Sequence, residues 1–336
     1  MKKIRFGLVG FSQGYYAVKY TTHLSRLNEV EVAGCCDLGA ADDYVKECAF
    51  VTAEGFARDI GIKLFKSPQE LYAEGLDAVM ISCETWQHAD YAVDALEKGM
   101  HVFISKPASF KSDDIRRLMK AQKKSNKIVL CGQPLRYEEA FTEMSKRIKD
   151  GAIGEVTNIR FFLNHEAMIR QEWERDVKRS GGPLGTYGVY MFDVPNMLTG
   201  LKVKELYAMG ANLVYPQIGT YDTVSISARM NNGAIANMNL VSTISWDYPL
   251  VRADVVGTKG VVRANFDNPT YILSGRDEMS SGSLRRTELG NAEIEHFMDC
   301  VRGRSECVIT LDDMLYAAQC IEASFESAET CKMVKI

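Results

Sequence analysis

Short apolar runs alternate with longer, helix-like segments along the first 130 residues of the chain. Five runs are rich in β-branched residues and have few polar positions: IRFGLVGF (4–11), VEVAGCCD (30–37), DAVMISCE (77–84), HVFIS (101–105) and KIVLCG (127–132). Nearly continuous apolar runs are typical of strands that are buried on both faces. The segments between them, such as 42–61 and 88–99, have helical patterns. This alternation predicts an α/β domain with a parallel, doubly wound sheet.

The pattern changes after residue 131, where shorter stretches of alternating polarity begin. These stretches predict strands at 155–165, 203–215, 221–230, 234–244, 250–256 and 260–266. Helices are predicted near 137–150 and 186–199, and the C-terminal region returns to helical patterns. We therefore expect two domains, 1–131 and 132–336, the second being an α/β domain with a large open sheet that is mixed or antiparallel.

Composition and charge exclude several classes of function. A net charge of −4 argues against sequence-independent nucleic-acid binding, which normally needs a strongly basic surface. No run approaches 18 apolar residues, so no membrane span is expected. The nine cysteines show no Cys-x-x-Cys spacing and the five histidines are dispersed. We expect reduced thiols, a cytoplasmic protein and no metal site.

Ligands of doubly wound sheets bind beyond the carboxyl ends of the strands. The first predicted strand leads into GFSQG, which contains Gly10 of a dinucleotide fingerprint, but Ser12 and Tyr15 occupy its second and third glycine positions. The second strand ends at Asp37, whose carboxylate can accept hydrogen bonds from ribose hydroxyls and would repel a 2′-phosphate. These two features indicate a dinucleotide site that prefers NAD to NADP.

The segment DAVMISCETWQHADYAVDALEKGMHVFISKPASF (77–110) resembles a segment of the glucose–fructose oxidoreductase and inositol dehydrogenase (Gfo/Idh/MocA) family. The usual family text is close to DAVIIATPNxxHxxxAxxALexGkHVxxEKP. His88 and the Lys106-Pro107 pair match this text, whereas Ser105 replaces its glutamate. DGAIGEV (150–156) and the helical text 308–329 resemble later parts of the same family, so the likeness extends over nearly the whole chain.

The resemblance implies a Rossmann domain that binds NAD(P), followed by a C-terminal α/β domain whose sheet forms homodimers or homotetramers. It also implies oxidation or reduction of a sugar, a polyol or a related secondary alcohol or carbonyl compound. The expected cofactor-binding residues are Gly10, Phe11, Ser12, Gln13, Asp37, Cys83, Glu84, Thr85, His88, Ser105 and Lys106.

Lys106 and Tyr190 are the expected catalytic residues. An ammonium at Lys106 can stabilise negative charge on the reacting oxygen. The family text GGGALLDxGxHxxD aligns with SGGPLGTYGVYMFD, so Thr186 and Tyr190 replace an aspartate and a histidine, and Asp193 is retained. A tyrosine beside a cation can act as a general acid and base. The alternative is that Tyr190 only packs in a site that has lost its chemistry.

Five further residues are expected to contact substrate: Arg136, His165, Trp173, Thr186 and Asp193. For Arg136 the alternative is a structural ion pair. The main hypothesis is an NAD-dependent oxidoreductase, and two alternatives remain open. One is a dinucleotide-binding sensor or regulatory protein without enzymatic activity. The other is NAD-dependent glycosidase chemistry, which would cleave a glycoside without net NADH.

Overall fold

The computed structural model describes residues 2–39, 52–166, 171–243, 251–266, 270–275, 279–283 and 291–336. The chain divides into two compact units. The first contains residues 1–132 and 290–315, and the second contains 133–289 and 316–336. The sequence placed a single boundary at residue 131. In the structure the segment 290–315 belongs to the first unit.

The first unit is built on a six-stranded parallel sheet with the order β3-β2-β1-β4-β5-β6. Its strands are β1 (Ile4–Val9), β2 (Val30–Cys36), β3 (Lys63–Phe65), β4 (Ala78–Ile81), β5 (His101–Ile104) and β6 (Val129–Cys131). All residues of β4 and β6 are buried, as their continuous apolar text predicts. The parallel, doubly wound sheet is thus confirmed, but the edge strand β3 was missed because only its last residue is buried.

Helices connect these strands. They are α1 (Gly14–Ser25), α2 (Ala53–Ile60), α3 (Pro68–Tyr72), α4 (His88–Glu97) and α5 (Ser112–Ser125). The Thr52 hydroxyl accepts a hydrogen bond from the amide of Gly55 and so caps the start of α2. The sequence predicted a helix over 42–61, of which residues 42–51 lie outside the described part of the chain.

Helix α10 (Asn291–Val301) comes late in the sequence but packs within the first unit. The ring of Phe103 on β5 lies between Tyr20 of α1 and Phe297 of α10, with ring centroids 5.6 and 5.7 Å apart. The Tyr20 hydroxyl donates to the buried carboxylate of Glu293. Together these contacts place α10 over the sheet and seal part of its core.

The second unit contains a nine-stranded sheet with the order β14-β13-β12-β11-β7-β10-β9-β8-β15. Its strands are β7 (Val156–Asn164), β8 (Val203–Ala211), β9 (Thr223–Met230), β10 (Ile235–Val241), β11 (Val251–Gly257), β12 (Gly260–Asn265), β13 (Thr270–Gly275), β14 (Met279–Ser283) and β15 (Val334–Lys335). β7 and β10 pair in parallel and the other pairs are antiparallel, so the sheet is mixed, as expected.

The helices of this unit are α6 (Glu139–Lys149), α7 (Glu172–Arg175), α8 (Val177–Ser180), α9 (Gly182–Thr199) and, from residue 316 onward, α11 (Leu311–Thr330). α9 is almost entirely buried. At Gly188 a Cβ atom would lie 3.1 Å from Ile321, so α9 packs closely against α11 at this position. The strands β7 to β12 and the helices α6, α9 and α11 occur where the sequence predicted strands and helices, whereas β13, β14, β15, α7 and α8 were not predicted.

Gly10 directly follows β1, at a position where a side chain would clash with Cys83. Its φ is +86°, and a Cβ atom there would lie 2.7 Å from the backbone of Cys83. Gly39 has the same φ of +86° but no atom within 4 Å of the position of its Cβ. The two glycines therefore share the backbone strain and differ only in the space around them.

We predict that Gly39→Ala costs about 1–2 kcal/mol of stability, because an L-residue at this φ is strained. Gly10→Ala should cost about 1–3 kcal/mol more, because the new Cβ would meet backbone atoms of Cys83, which cannot rotate away. Urea unfolding of the two variants measures the difference. Equal decreases in the free energy of unfolding would show that the close approach to Cys83 does not contribute to stability.

Candidate functional site

The turn from β1 into α1 has the geometry of an anion-binding loop. Gln13 precedes α1, and no side chain caps the helix there. The first-turn amides of Gly14, Tyr15 and Tyr16 have no acceptor within the helix, because an α-helix leaves its first N–H groups unpaired. Such amides, together with the helix dipole, favour phosphate. The two missing fingerprint glycines therefore do not remove the donors that a pyrophosphate needs.

A chain of hydrogen bonds joins the ends of β1, β4 and β5. The Ser105 hydroxyl lies 3.0 Å from that of Ser82, which donates to the carbonyl of Gln13 at 3.2 Å. The amide of Gln13 donates in turn to the carbonyl of Ser82 at 3.1 Å. Ser82 was not among the predicted site residues, although its place at the carboxyl end of β4 was a signal for it. Ser105, which replaces the usual glutamate, holds the loop here.

Asp37 follows β2 directly, at the same edge of the sheet as the α1 turn. The preceding thiol, Cys36, donates to the Asp37 carbonyl at 3.5 Å. Burial, together with the negative charge of Asp37, raises the pKa of Cys36 to about 11, so this thiol stays neutral. The carboxylate of Asp37 is partly exposed and follows the second strand, where a ribose-binding acid is found in dinucleotide sites.

His88 is fully buried at the start of α4. Its Nδ1 is 2.8 Å from the Pro107 carbonyl and its Nε2 is 3.1 Å from the Cys83 carbonyl. Burial lowers the pKa of His88 to about 4, so the ring is neutral and donates to one carbonyl at a time. The shorter distance favours the tautomer in which Nδ1–H donates to the Pro107 carbonyl. His88 thereby positions the backbone that follows Lys106 and the backbone at Cys83.

Residues 83–85 follow β4. Glu84 accepts a hydrogen bond of 2.5 Å from the indole of Trp86, which is 39% exposed. The Thr85 hydroxyl is buried and has no hydrogen-bond partner among the described residues. An unsatisfied hydroxyl at the carboxyl edge of the sheet is a group that a bound ligand can satisfy.

Lys106 begins the loop after β5 and is only 7% exposed. A cis peptide bond joins it to Pro107. Burial lowers the pKa of its amine to about 7, and the interaction with Cys131 acts in the opposite direction. The sequence analysis gave Lys106 only the role of an ammonium that stabilises negative charge. A pKa near neutrality instead allows Lys106 both to accept and to donate a proton.

Helix α9 in the second unit carries the other predicted catalytic group. Two glycines in left-handed conformation, Gly181 and Gly182, start the helix, with φ of 68° and 59°. Thr186, Tyr190 and Asp193 lie within the helix, so their spacing places them on one side of it. Tyr190 is 6% exposed and Thr186 is half-buried.

Arg136 and Asp193, both expected to contact substrate, bind each other. The Arg136 Nε lies 2.9 and 3.1 Å from the two carboxylate oxygens of Asp193, and its Nη2 lies 2.5 Å from one of them. The two side chains are 9% and 1% exposed. A bidentate pair of this kind neutralises both charges. The structure thus gives Arg136 the structural ion pair that was the alternative for it.

His165 follows β7 and stacks on the ring of Tyr187, with centroids 4.1 Å apart and planes at 25°. Its Nδ1 is 2.9 Å from the Glu166 carbonyl. Trp173 is buried, and its indole N–H has no hydrogen-bond partner among the described residues. Tyr187 was not named by the sequence analysis, because an aromatic residue on a helix gives no signal that separates a site contact from packing.

The described residues hold no group of three or more His, Cys, Asp or Glu side chains that could bind a metal ion. The eight cysteines in this part of the chain are all unbridged. A helix that could cross a bilayer is likewise absent from the described segments.

The described residues fit a dinucleotide. The uncapped amides of α1 can hold the pyrophosphate, Asp37 can hold a ribose, and the orphan hydroxyl of Thr85 lies at the same sheet edge. The departures from the fingerprint, Ser12 and Tyr15, leave these three elements in place.

Comparisons with known proteins agree with this geometry. Residues 4–133 match the model of the oxidoreductase family with an NAD-binding Rossmann fold, and residues 141–263 match the GFO/IDH/MocA C-terminal domain. The chain is 26% identical over 269 residues to scyllo-inositol 2-dehydrogenase (NAD(+)) of Bacillus subtilis (strain 168), covering 77% of this chain and 78% of that protein. It is 25% identical over 348 residues to inositol 2-dehydrogenase of Rhizobium meliloti (strain 1021), covering 99% of both.

A solved structure shows the same fold over the full length. The aldose-aldose oxidoreductase from Caulobacter crescentus, crystallised with glycerol, superimposes with a TM-score of 0.83 at 19% identity and covers 100% of both chains. Because both halves of the chain match their family models in order, and relatives align over nearly its whole length, the chain belongs to the Gfo/Idh/MocA family of oxidoreductases.

Proposed function

We propose that this protein is an NAD-dependent dehydrogenase that oxidises a secondary alcohol of a cyclic polyol or sugar. The substrate class is supported by the relatives, which include a scyllo-inositol and an inositol 2-dehydrogenase. The observation that carries the proposal is the buried amine of Lys106, whose pKa of about 7 suits it to proton transfer at neutral pH. Bound NAD supplies the hydride acceptor.

Lys106 has a different role in each direction of the reaction. In oxidation the neutral amine accepts the proton that leaves the substrate hydroxyl. In reduction the ammonium polarises the carbonyl and returns the proton. In this proposal the phenol of Tyr190 donates a hydrogen bond to the reacting oxygen and stabilises the charge that develops on it. Thr186 can offer a hydrogen bond but no charge, so the amine of Lys106 carries the acid–base function that an aspartate shares elsewhere in the family.

His165, Trp173 and Thr186 supply polar contacts to the substrate in this proposal. The ring of His165 is fixed by stacking on Tyr187, and the Trp173 indole offers an unused N–H. Arg136 and Asp193 act behind them by holding α9 through their ion pair. In the same way, His88 and Ser105 hold the backbone and side chains around the cofactor site through their hydrogen bonds.

The pH profile tests the role of Lys106. Below its pKa of about 7 the amine is protonated and cannot accept a proton, so kcat/KM for oxidation should rise through pH 7 and then level off. In the direction of reduction kcat/KM should fall over the same range. Lys106→Arg keeps a cation that does not titrate and should lower oxidation by about 100-fold or more at every pH.

Tyr190→Phe should lower kcat by about 100-fold with little change in folding, because the ring still fills its buried position. Tyr207→Phe on β8 removes a hydroxyl elsewhere in the same unit and serves as the control. The assay is NADH formation with inositols and aldoses. NADH binding without turnover on any of them would favour the sensor, and glycoside cleavage without net NADH would favour glycosidase chemistry.

NAD is the preferred cofactor in this proposal because Asp37 would repel a 2′-phosphate. Titration of the purified protein with NADH and NADPH should show at least about tenfold tighter binding of NADH. Asp37→Ala should reduce that ratio mainly by improving NADPH binding. If the ratio is unchanged in Asp37→Ala, another residue sets the preference, and if neither nucleotide binds, the dehydrogenase proposal is wrong.

We further propose that the protein works in the cytoplasm as a homodimer or homotetramer that pairs through the outward face of the nine-stranded sheet. Residues on that face include the apolar side chains of Met209 and Ile235, which are 64% and 39% exposed. Apolar groups at such exposure favour a protein interface. Sedimentation velocity should give a dimer or tetramer, and Met209→Lys should shift it toward monomer. A wild-type monomer at micromolar concentration would contradict this.

A further inference from the structure

A cavity in the first unit lies at the amino ends of its parallel strands. It has a volume of about 340 Å³. Its lining includes the residues just before or at the start of β1, β4, β5 and β6, together with the end of α10. The dinucleotide elements follow the carboxyl ends of the strands, so this cavity is separate from them.

The cavity is strongly basic. Five of its described lining residues are cationic: Lys2, Lys3, Lys127, Arg302 and Arg304. The acid among them is Asp77, which already accepts a hydrogen bond from the Arg5 amide at 2.9 Å and pairs with Lys2 at 3.6 Å.

The two arginines are also paired. Arg302 and Arg304 approach the carboxylate of Glu29 at 3.1 and 2.9 Å, and Arg304 also reaches Asp299. Lys3 and Lys127 have no acidic partner among the described residues. Two positive charges therefore remain uncompensated at this cavity.

His101 adds a directed donor. The Ile128 amide donates to its Nδ1 at 3.1 Å, so in the neutral ring the hydrogen lies on Nε2. Burial, followed by the charge of Lys127, lowers the pKa of His101 to about 4, which keeps the ring neutral. No described residue accepts a hydrogen bond from Nε2. Unpaired cations beside a free N–H donor form the arrangement that binds an oxyanion.

We infer that this cavity binds a small phosphate-bearing anion through Lys3, Lys127 and the Nε2–H of His101. A tetrahedral oxyanion presents several acceptor oxygens, so it can take the His101 hydrogen and both ammonium groups at once. Because the cavity faces the opposite edge of the sheet from the dinucleotide loop, an anion there does not compete with NAD. This site does not depend on the identity of the substrate proposed above.

Calorimetric titration of the full chain with inorganic phosphate tests this. Saturating NADH fills the dinucleotide loop, and sodium chloride at matched ionic strength controls for screening. We expect saturable binding that Lys127→Ala and Lys3→Ala each weaken by about tenfold, the loss of one charge-assisted contact. Lys124→Ala is the matched control, because Lys124 is an exposed lysine of α5 outside the cavity and should leave binding unchanged.

A parallel titration with glycerol phosphate distinguishes the free ion from a phosphate ester. Tighter binding of the ester would assign the site to a phosphorylated metabolite, and tighter binding of phosphate would assign it to the free ion. Both outcomes require the lysine variants to weaken binding. The inference is overturned if phosphate does not bind to the NADH complex, or if Lys127→Ala and Lys3→Ala bind it as tightly as Lys124→Ala does. Unfolding temperatures of the variants without phosphate confirm that each is folded.

Discussion

The burial of one amine, that of Lys106, is the constraint on which the candidate site depends. A lysine with 7% exposure has lost much of its hydration, and this burial lowers its pKa to about 7. Keeping that side chain in place requires a rigid loop. His88 holds the Pro107 carbonyl, and the Ser105 hydroxyl ties the preceding residue to β4. Ser105 and Thr186 stand where the family has a glutamate and an aspartate, so neither position adds a carboxylate.

The second unit also buries charged side chains, but there the charges pair with each other. Arg136 and Asp193 are as buried as Lys106, but they compensate each other through a bidentate pair. Desolvated charges that are paired and hydrogen-bonded can remain ionised. The same degree of burial thus accompanies a fixed support for α9 in one unit and, in our proposal, a proton-transfer group in the other.

The sequence predicted the parts of this protein that depend on local pattern. The buried strands of the parallel sheet were confirmed because a short, continuous apolar run is typical of a strand covered on both faces, and the mixed sheet followed from alternation. The edge strand Lys63–Phe65 lacked such a pattern. Side-chain partners were beyond reach, because Arg136 and Asp193 are 57 residues apart and no local pattern joins them. The pKa of Lys106 likewise depends on burial, which a single chain does not reveal.

Helix α10 has a consequence for how the protein is made. The first unit needs the aromatic contact of Phe297 and the buried Glu293, yet both residues are translated more than 150 positions after β6. During synthesis on the ribosome, one face of the parallel sheet therefore stays uncovered until nearly all of the second unit has been made. A fragment that stops at residue 132 would have the same open face permanently, so the nucleotide-binding half of this chain cannot be cut free at that point without exposing apolar surface.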